Sequence, residues 1–152
     1  MQNPRAAIVN RDEQCMHAAI HQALKGLGTT SPNPIVGAVV ARRGSILSKA
    51  HHHFAGGPHA EVLALRPLKN IPKDATLYVT LEPCSTVGRT PDCAGLILRR
   101  GVKRVVIGSL DPNPLHHRRG VRMLRRGGVR VVTGVAAEAC EKLNPAFAKF
   151  NR

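Results

Sequence analysis

His59-Ala60-Glu61, Pro83-Cys84 and Cys93 are the residues of this chain whose types and spacing are best suited to chemistry. GGPHAEVLAL (56–65) reads as the start of a helix that buries Val62, Leu63 and Leu65, yet it opens on a histidine and a glutamate. The pair is either a solvated first turn or half of a metal site. Cys84 and Cys93 bracket a loop, LEPCSTVGRTPDC (81–93), whose glycine and proline let it fold back and bring two sulfurs together. Both cysteines stand near expected helix starts, where amide N–H groups and the helix dipole favour a thiolate. A neutral imidazole and two thiolates match a Cys2His zinc site whose remaining position is left for water. Two thiolates also cancel the formal charge of the ion. Glu61 is then a proton carrier and not a ligand, because the first helical turn lets it reach past the metal toward that water.

These residues need a scaffold that converges on them. Asn10 with Glu13 has a capping-box pattern, and Met16, Ile20, Ala23, Leu24 and Leu27 follow at helical spacing up to the stop at Gly26 and Gly28. After the loop TTSPNP, the run IVGAVVA (35–41) is apolar and β-branched, as in a strand buried on both faces. Arg43-Gly44 suits a hairpin turn into a strand near 45–50. ATLYVTL (75–81), KRVVIG (103–108) and GVRVVTG (128–134) read as further strands. Helices are expected over 93–100, capped by Asp92 and ended by Gly101, over 117–126 and over 136–143. Strands alternating with helices after a hairpin imply a three-layer α/β/α sandwich around a mixed, mostly parallel five-stranded sheet. In such sheets, sites collect at the carboxyl ends of parallel strands, which is where 81–93 lies.

At 152 residues and 43% hydrophobic residues, the chain is expected to be one globular domain. It has no apolar run of the roughly 20 residues that span a bilayer and no signal-peptide pattern, so a cytoplasmic setting with reduced thiols is expected. Cys15 and Cys140, in helical segments, read as small apolar residues. The net charge of +14, from 23 Lys and Arg against 9 Asp and Glu, attracts polyanions. The basic residues are nevertheless dispersed in short clusters, and the four aromatics (Phe54, Tyr78, Phe147, Phe150) make no base-stacking platform. A phosphorylated small substrate is therefore preferred to nucleic acid as partner.

Zinc nucleobase deaminases carry H-x-E followed by P-C-x-x-C, with the glutamate as acid/base. His59-Ala60-Glu61 and Pro83-Cys84 match, but eight residues separate the cysteines here instead of two. With that spacing, the chain resembles the deaminase domain of riboflavin biosynthesis within the cytidine-deaminase-like superfamily. The resemblance runs from about residue 14 to Phe147 and includes GTTSPNPIVGAVV, GGPHAEVLAL, ATLYVTLEPCS, GRTPDC, GVKRVVIGSLDPNP and LNPAF. It implies zinc on His59, Cys84 and Cys93, Glu61 as proton shuttle, and hydrolytic release of ammonia from a diaminohydroxy-phosphoribosylamino-pyrimidine. It further implies substrate contacts from Asn33, from His52 beside the pyrimidine or ribose, and from Arg89 toward the phosphate end.

Two positions depart from the family pattern. Thr86 stands where the family usually has a histidine, and Asp92 replaces the nearer of two prolines before the second cysteine. Neither touches the ligand set or Glu61, so the chemistry is expected to survive while the substrate is less constrained. A stand-alone deaminase without a reductase domain is expected, as a homodimer. The alternatives are a deaminase of another nucleobase, nucleoside or tRNA, and a non-catalytic zinc-stabilised RNA-binding module. His51–His53 reads as an exposed turn or a second metal site.

Overall fold

The computed structural model describes residues 3–85 and 92–146. Five strands, β1 (Gly37–Arg42), β2 (Ser45–His51), β3 (Ala75–Leu81), β4 (Arg104–Ser109) and β5 (Arg130–Thr133), form one sheet in the order β2-β1-β3-β4-β5. β1 pairs antiparallel with β2 and β3, whereas β3–β4 and β4–β5 are parallel. Only β1 runs against the others, so the sheet is mixed, as the strand–helix alternation implies. The β1–β2 turn falls on Arg43 and Gly44, both left-handed at φ 52° and 82°, the backbone of a tight hairpin.

Alternation along the buried strands divides the core in two. Ala38, Val40, Leu77, Val79, Val105 and Ile107 face α2 (Ala60–Leu65), α3 (Cys93–Arg99) and α4 (Arg119–Arg126). Val39, Ala41, Tyr78 and Val106 face α1 (Pro4–Leu24) and α5 (Ala137–Lys142). These are the three expected layers.

The helix expected from Asn10 instead begins at Pro4, capped by Asn3, whose side chain accepts from the Arg5 amide. Proline in the first turn is preorganised for a helix, and Asn10 is left exposed in its interior. The apolar stripe also differs from expectation: Leu24 and Leu27 are 43% and 62% exposed. The sheet-facing side is built on Cys15, Met16, Ala19 and Ala23. Small residues win there because Gly37 passes so close that an added Cβ would sit 1.8 Å from the Ala19 carbonyl oxygen. In α2 the buried residues are Ala60, Glu61, Ala64 and Leu65, so the glutamate goes inside while Val62 and Leu63 are half-buried.

A buried ion pair joins the layers. Arg104 and Asp12 meet at 2.7 Å, and the Tyr78 hydroxyl donates to Asp12 at 2.7 Å. Burial and that carboxylate together push the Tyr78 phenol well above its ordinary range.

Candidate active site

His59 is the N-cap of α2, with extended backbone, and Glu61 lies in the first turn behind it. Cys84 follows the carboxyl end of β3, and Cys93 is the first residue of α3. The loop between the cysteines is closed at its base by two bonds. The Ala94 amide donates to the Cys84 carbonyl at 3.0 Å, and the Cys93 amide donates to the Cys84 sulfur at 3.2 Å. Asp92 caps α3 through the Gly95 amide at 2.9 Å, as its placement before the helix implied.

His59 Nδ1 lies 3.0 Å from the Cys93 sulfur and 3.8 Å from the Cys84 sulfur, and one ligand atom from each residue falls within 4.8 Å of the others. Tetrahedral zinc, with Zn–S of about 2.3 Å and Zn–N of about 2.0–2.1 Å, sets its ligands roughly 3.5–3.8 Å apart. The donor set fits such an ion, with Nδ1 as the histidine donor: His59 and Cys84 stand at this spacing, while His59 and Cys93 at 3.0 Å are closer and would part slightly to admit it. Among the described residues this is the one group of three metal-capable side chains, so the His51–His53 run makes no second one.

Electrostatics prepares the same atoms. The Cys93 side chain and His59 draw the Cys84 thiol down to about 4, against the effect of burial. Cys93, hydrogen-bonded to Cys84 and buried, is pushed up, so the pair shares a proton that a bound cation would displace. The Cys84 sulfur raises His59 above its usual value despite burial. Burial pushes the Glu61 carboxyl above the ordinary carboxylate range, only partly offset by His59. Cys15 and Cys140 behave differently: both are buried in helices, and desolvation raises their thiols, Cys140 to about 12.

A cavity of about 220 Å3 opens beside the cluster, lined by His59, Glu61 and Cys84 together with Asn33, His52 and Asp111. His52 Nδ1 lies 2.9 Å from the Pro58 carbonyl, which can only accept, so this nitrogen donates. Its Nε2 then accepts from the Asn33 amide nitrogen at 3.3 Å. Burial lowers the His52 pKa and keeps the ring neutral. Asn33 and His52 thus meet at the cavity wall although 19 positions separate them. Arg89 and Thr86 lie outside the described residues.

The sequence reading assigned no role to Glu82 and Asp111, although both line the cavity. The Glu82 carboxylate accepts from the amides of Asp111, Arg118 and Val121 at 3.0, 3.1 and 3.1 Å, stitching the β4–α4 loop to the end of β3. The available signal was positional: Asp111 follows β4 at the carboxyl edge of the parallel strands, where sites gather.

The family model for the cytidine and deoxycytidylate deaminase zinc-binding region matches residues 9–109. The chain belongs to this deaminase family. Within it, the chain is 50% identical over 136 residues to the riboflavin biosynthesis protein RibD of Aquifex aeolicus, covering 90% of this chain and 38% of that protein. RibD of Acinetobacter baumannii superposes with a TM-score of 0.89 at 42% identity, over 93% of this chain and 40% of that one. A diaminohydroxyphosphoribosylaminopyrimidine deaminase/5-amino-6-(5-phosphoribosylamino)uracil reductase from Thermotoga maritima gives 0.89 at 42% identity, over 95% and 42%. The deaminase chain described here thus spans about two-fifths of these relatives. Among its described residues no helix is long and apolar enough to cross a membrane.

Proposed function

We propose that the chain is a zinc-dependent hydrolytic deaminase of a phosphoribosylated diaminopyrimidine, releasing ammonia in riboflavin biosynthesis. The observation that carries this reading is the convergence of His59, Cys84 and Cys93 with buried Glu61 on one small cavity. The likeness to the Thermotoga maritima deaminase/reductase supplies the substrate class. His59, Cys84 and Cys93 would hold the ion. Zinc bound there supplies Lewis acidity, which makes a water acidic enough to act as nucleophile near neutral pH.

The chain's own residues do the rest. Glu61, whose proton affinity burial raises, takes one proton from the attacking water and gives it to the ring nitrogen. It then takes the second from the hydroxyl so formed and gives it to the amine, which leaves as ammonia while the ring carbonyl forms. The Asn33 amide nitrogen is occupied by His52, which leaves its carbonyl oxygen to accept from an amino group of the substrate. One Asp111 oxygen accepts from the Asn113 amide at 2.9 Å, leaving the other for a ligand donor. Arg89 is assigned by resemblance to the phosphate end.

The deciding experiment measures ammonia release by zinc-loaded protein from the pyrimidine phosphate beside cytidine, guanine and tRNA. Turnover of the pyrimidine phosphate alone is expected. Turnover of one of the others, with none of the pyrimidine phosphate, refutes the substrate assignment.

A further inference from the structure

Residues 93–137 hold ten of the chain's 23 Lys and Arg and only one of its nine acidic residues, Asp111. Dispersed in sequence, five of these cations come together in the fold. Arg99 ends α3, Arg125 and Arg126 end α4, Lys103 immediately precedes β4 and Arg130 opens β5. All five are exposed. The Arg130 amide donates to the Lys103 carbonyl at 3.0 Å and Arg125 reaches the Val131 carbonyl at 3.1 Å, so these segments are neighbours at one edge. Arg130, in register with Arg104, stands on the α1 side of the sheet beside the groove that Asp12 and Asp74 line. An added Cβ on Gly127, just past α4, would lie 2.2 Å from the Leu98 side chain beside Arg99. Helix C-termini favour cations, which accounts for the three helical arginines singly, though not for Lys103 before β4 or for Arg130 at the start of β5.

Nearby carboxylates do not neutralise the group. Asp12 is taken by Arg104 at 2.7 Å, and Asp74 by Arg42 and Arg43 at 2.8 and 3.3 Å. The edge is also remote from the proposed chemistry. It lies at the amino ends of the parallel strands, whereas the His59–Cys84–Cys93 cluster lies at the carboxyl end of β3 and the starts of α2 and α3.

We propose that this edge binds the sugar–phosphate backbone of a double-helical nucleic acid, independently of deamination. Charge complementarity selects a polyanion, and four arginines among the five cations suit bidentate contact with phosphate. The absence of aromatic residues from α3, α4, β4 and β5 removes the stacking surface that single strands use, which favours a duplex read by its backbone. An anionic membrane would call for apolar side chains set among the cations. The exposed large apolar residues among those described lie on α1, β2 and loops, with none on α3, α4 or β5.

The test titrates zinc-loaded protein against fluorescent mixed-sequence duplexes of roughly 20 base pairs, DNA and RNA, over a range of salt. With five phosphate contacts, log K is expected to fall with log salt at a slope of about −4 to −5. Replacing Arg99, Arg125, Arg126 and Arg130 by Gln together should weaken binding roughly tenfold or more, and Arg126→Gln or Arg130→Gln alone should each reduce the slope by about one. Replacing Arg5, Lys25, Lys49 and Lys69 by Gln removes equal charge elsewhere and should leave both readings nearly unchanged. Ammonia release should persist at saturating duplex. Equal losses in the two four-site variants would overturn the proposal, since binding would then follow net charge alone. So would no duplex binding at low salt, preference for single strands or anionic vesicles, or inhibition of turnover by duplex. If the four-site variant at this edge fails to fold, the two single variants decide.

Discussion

Glu61 is 3% exposed, at a depth where an unpaired carboxylate costs several kcal/mol unless it is neutral or faces a cation. That cost is consistent with a proton carrier. Glu61→Gln should keep zinc at about one ion per chain by metal analysis while lowering the rate of ammonia release by about 10²–10⁴. Near-normal turnover would remove the assigned role. The same substitution has an opposite effect on stability without metal. The folded pKa of Glu61 is raised, so its contribution is fully present below the ordinary carboxylate value and is lost as pH rises through the folded one. Metal-free Glu61→Gln should therefore unfold at a higher temperature than metal-free wild type at neutral pH. The gap should shrink as pH falls through the raised folded pKa and level off below about 4, which thermal unfolding across pH measures.

At the scale of elements, the cluster depends on how α3 begins. Asp92 caps it, Cys93 is its first residue, and the Cys93 amide holds the Cys84 sulfur. Asp92→Ala should cost about 1 kcal/mol of stability and weaken zinc retention in a chelator competition, with Asp92→Asn restoring most of both. Stability loss with unchanged zinc affinity would show that the cap serves the helix alone. Glu82 has the matching role for the β4–α4 loop. Glu82→Gln places an amide N–H against backbone N–H donors and should cost about 1–3 kcal/mol. It should also raise KM, because Asp111 loses its anchor.

For the molecule as a whole, the ligands come from α2, the β3 end and α3, so a bound ion would tie both sides of one core face together. Zinc at about 1,000 times its Kd would stabilise the fold by about 4 kcal/mol. For a chain of this size that is roughly 8–16 °C in Tm, lost on chelation and recovered on adding zinc. A Tm indifferent to chelator would mean that the cluster does not hold metal. The same scale explains the charge. Arg99, Lys103, Arg125, Arg126 and Arg130 read as scattered along the chain, and the parallel crossovers return them to one edge.

Sequence alone was enough for the strands and the later helices, and it singled out four side chains that the fold brings together. Strands such as ATLYVTL carry a local signal in continuous β-branched and apolar runs, and β3 spans those seven residues. His59, Glu61, Cys84 and Cys93 stand out because few residue types bind metal or move protons. Tertiary structure decided what depends on distant neighbours. The first helix begins at Pro4, and small residues pack its sheet-facing side because Gly37 crosses it, a requirement no local pattern carries. The Asn33–His52 pair, the Glu82 stitch and the basic edge join residues far apart in the chain, and only the sheet order β2-β1-β3-β4-β5 sets which of them meet.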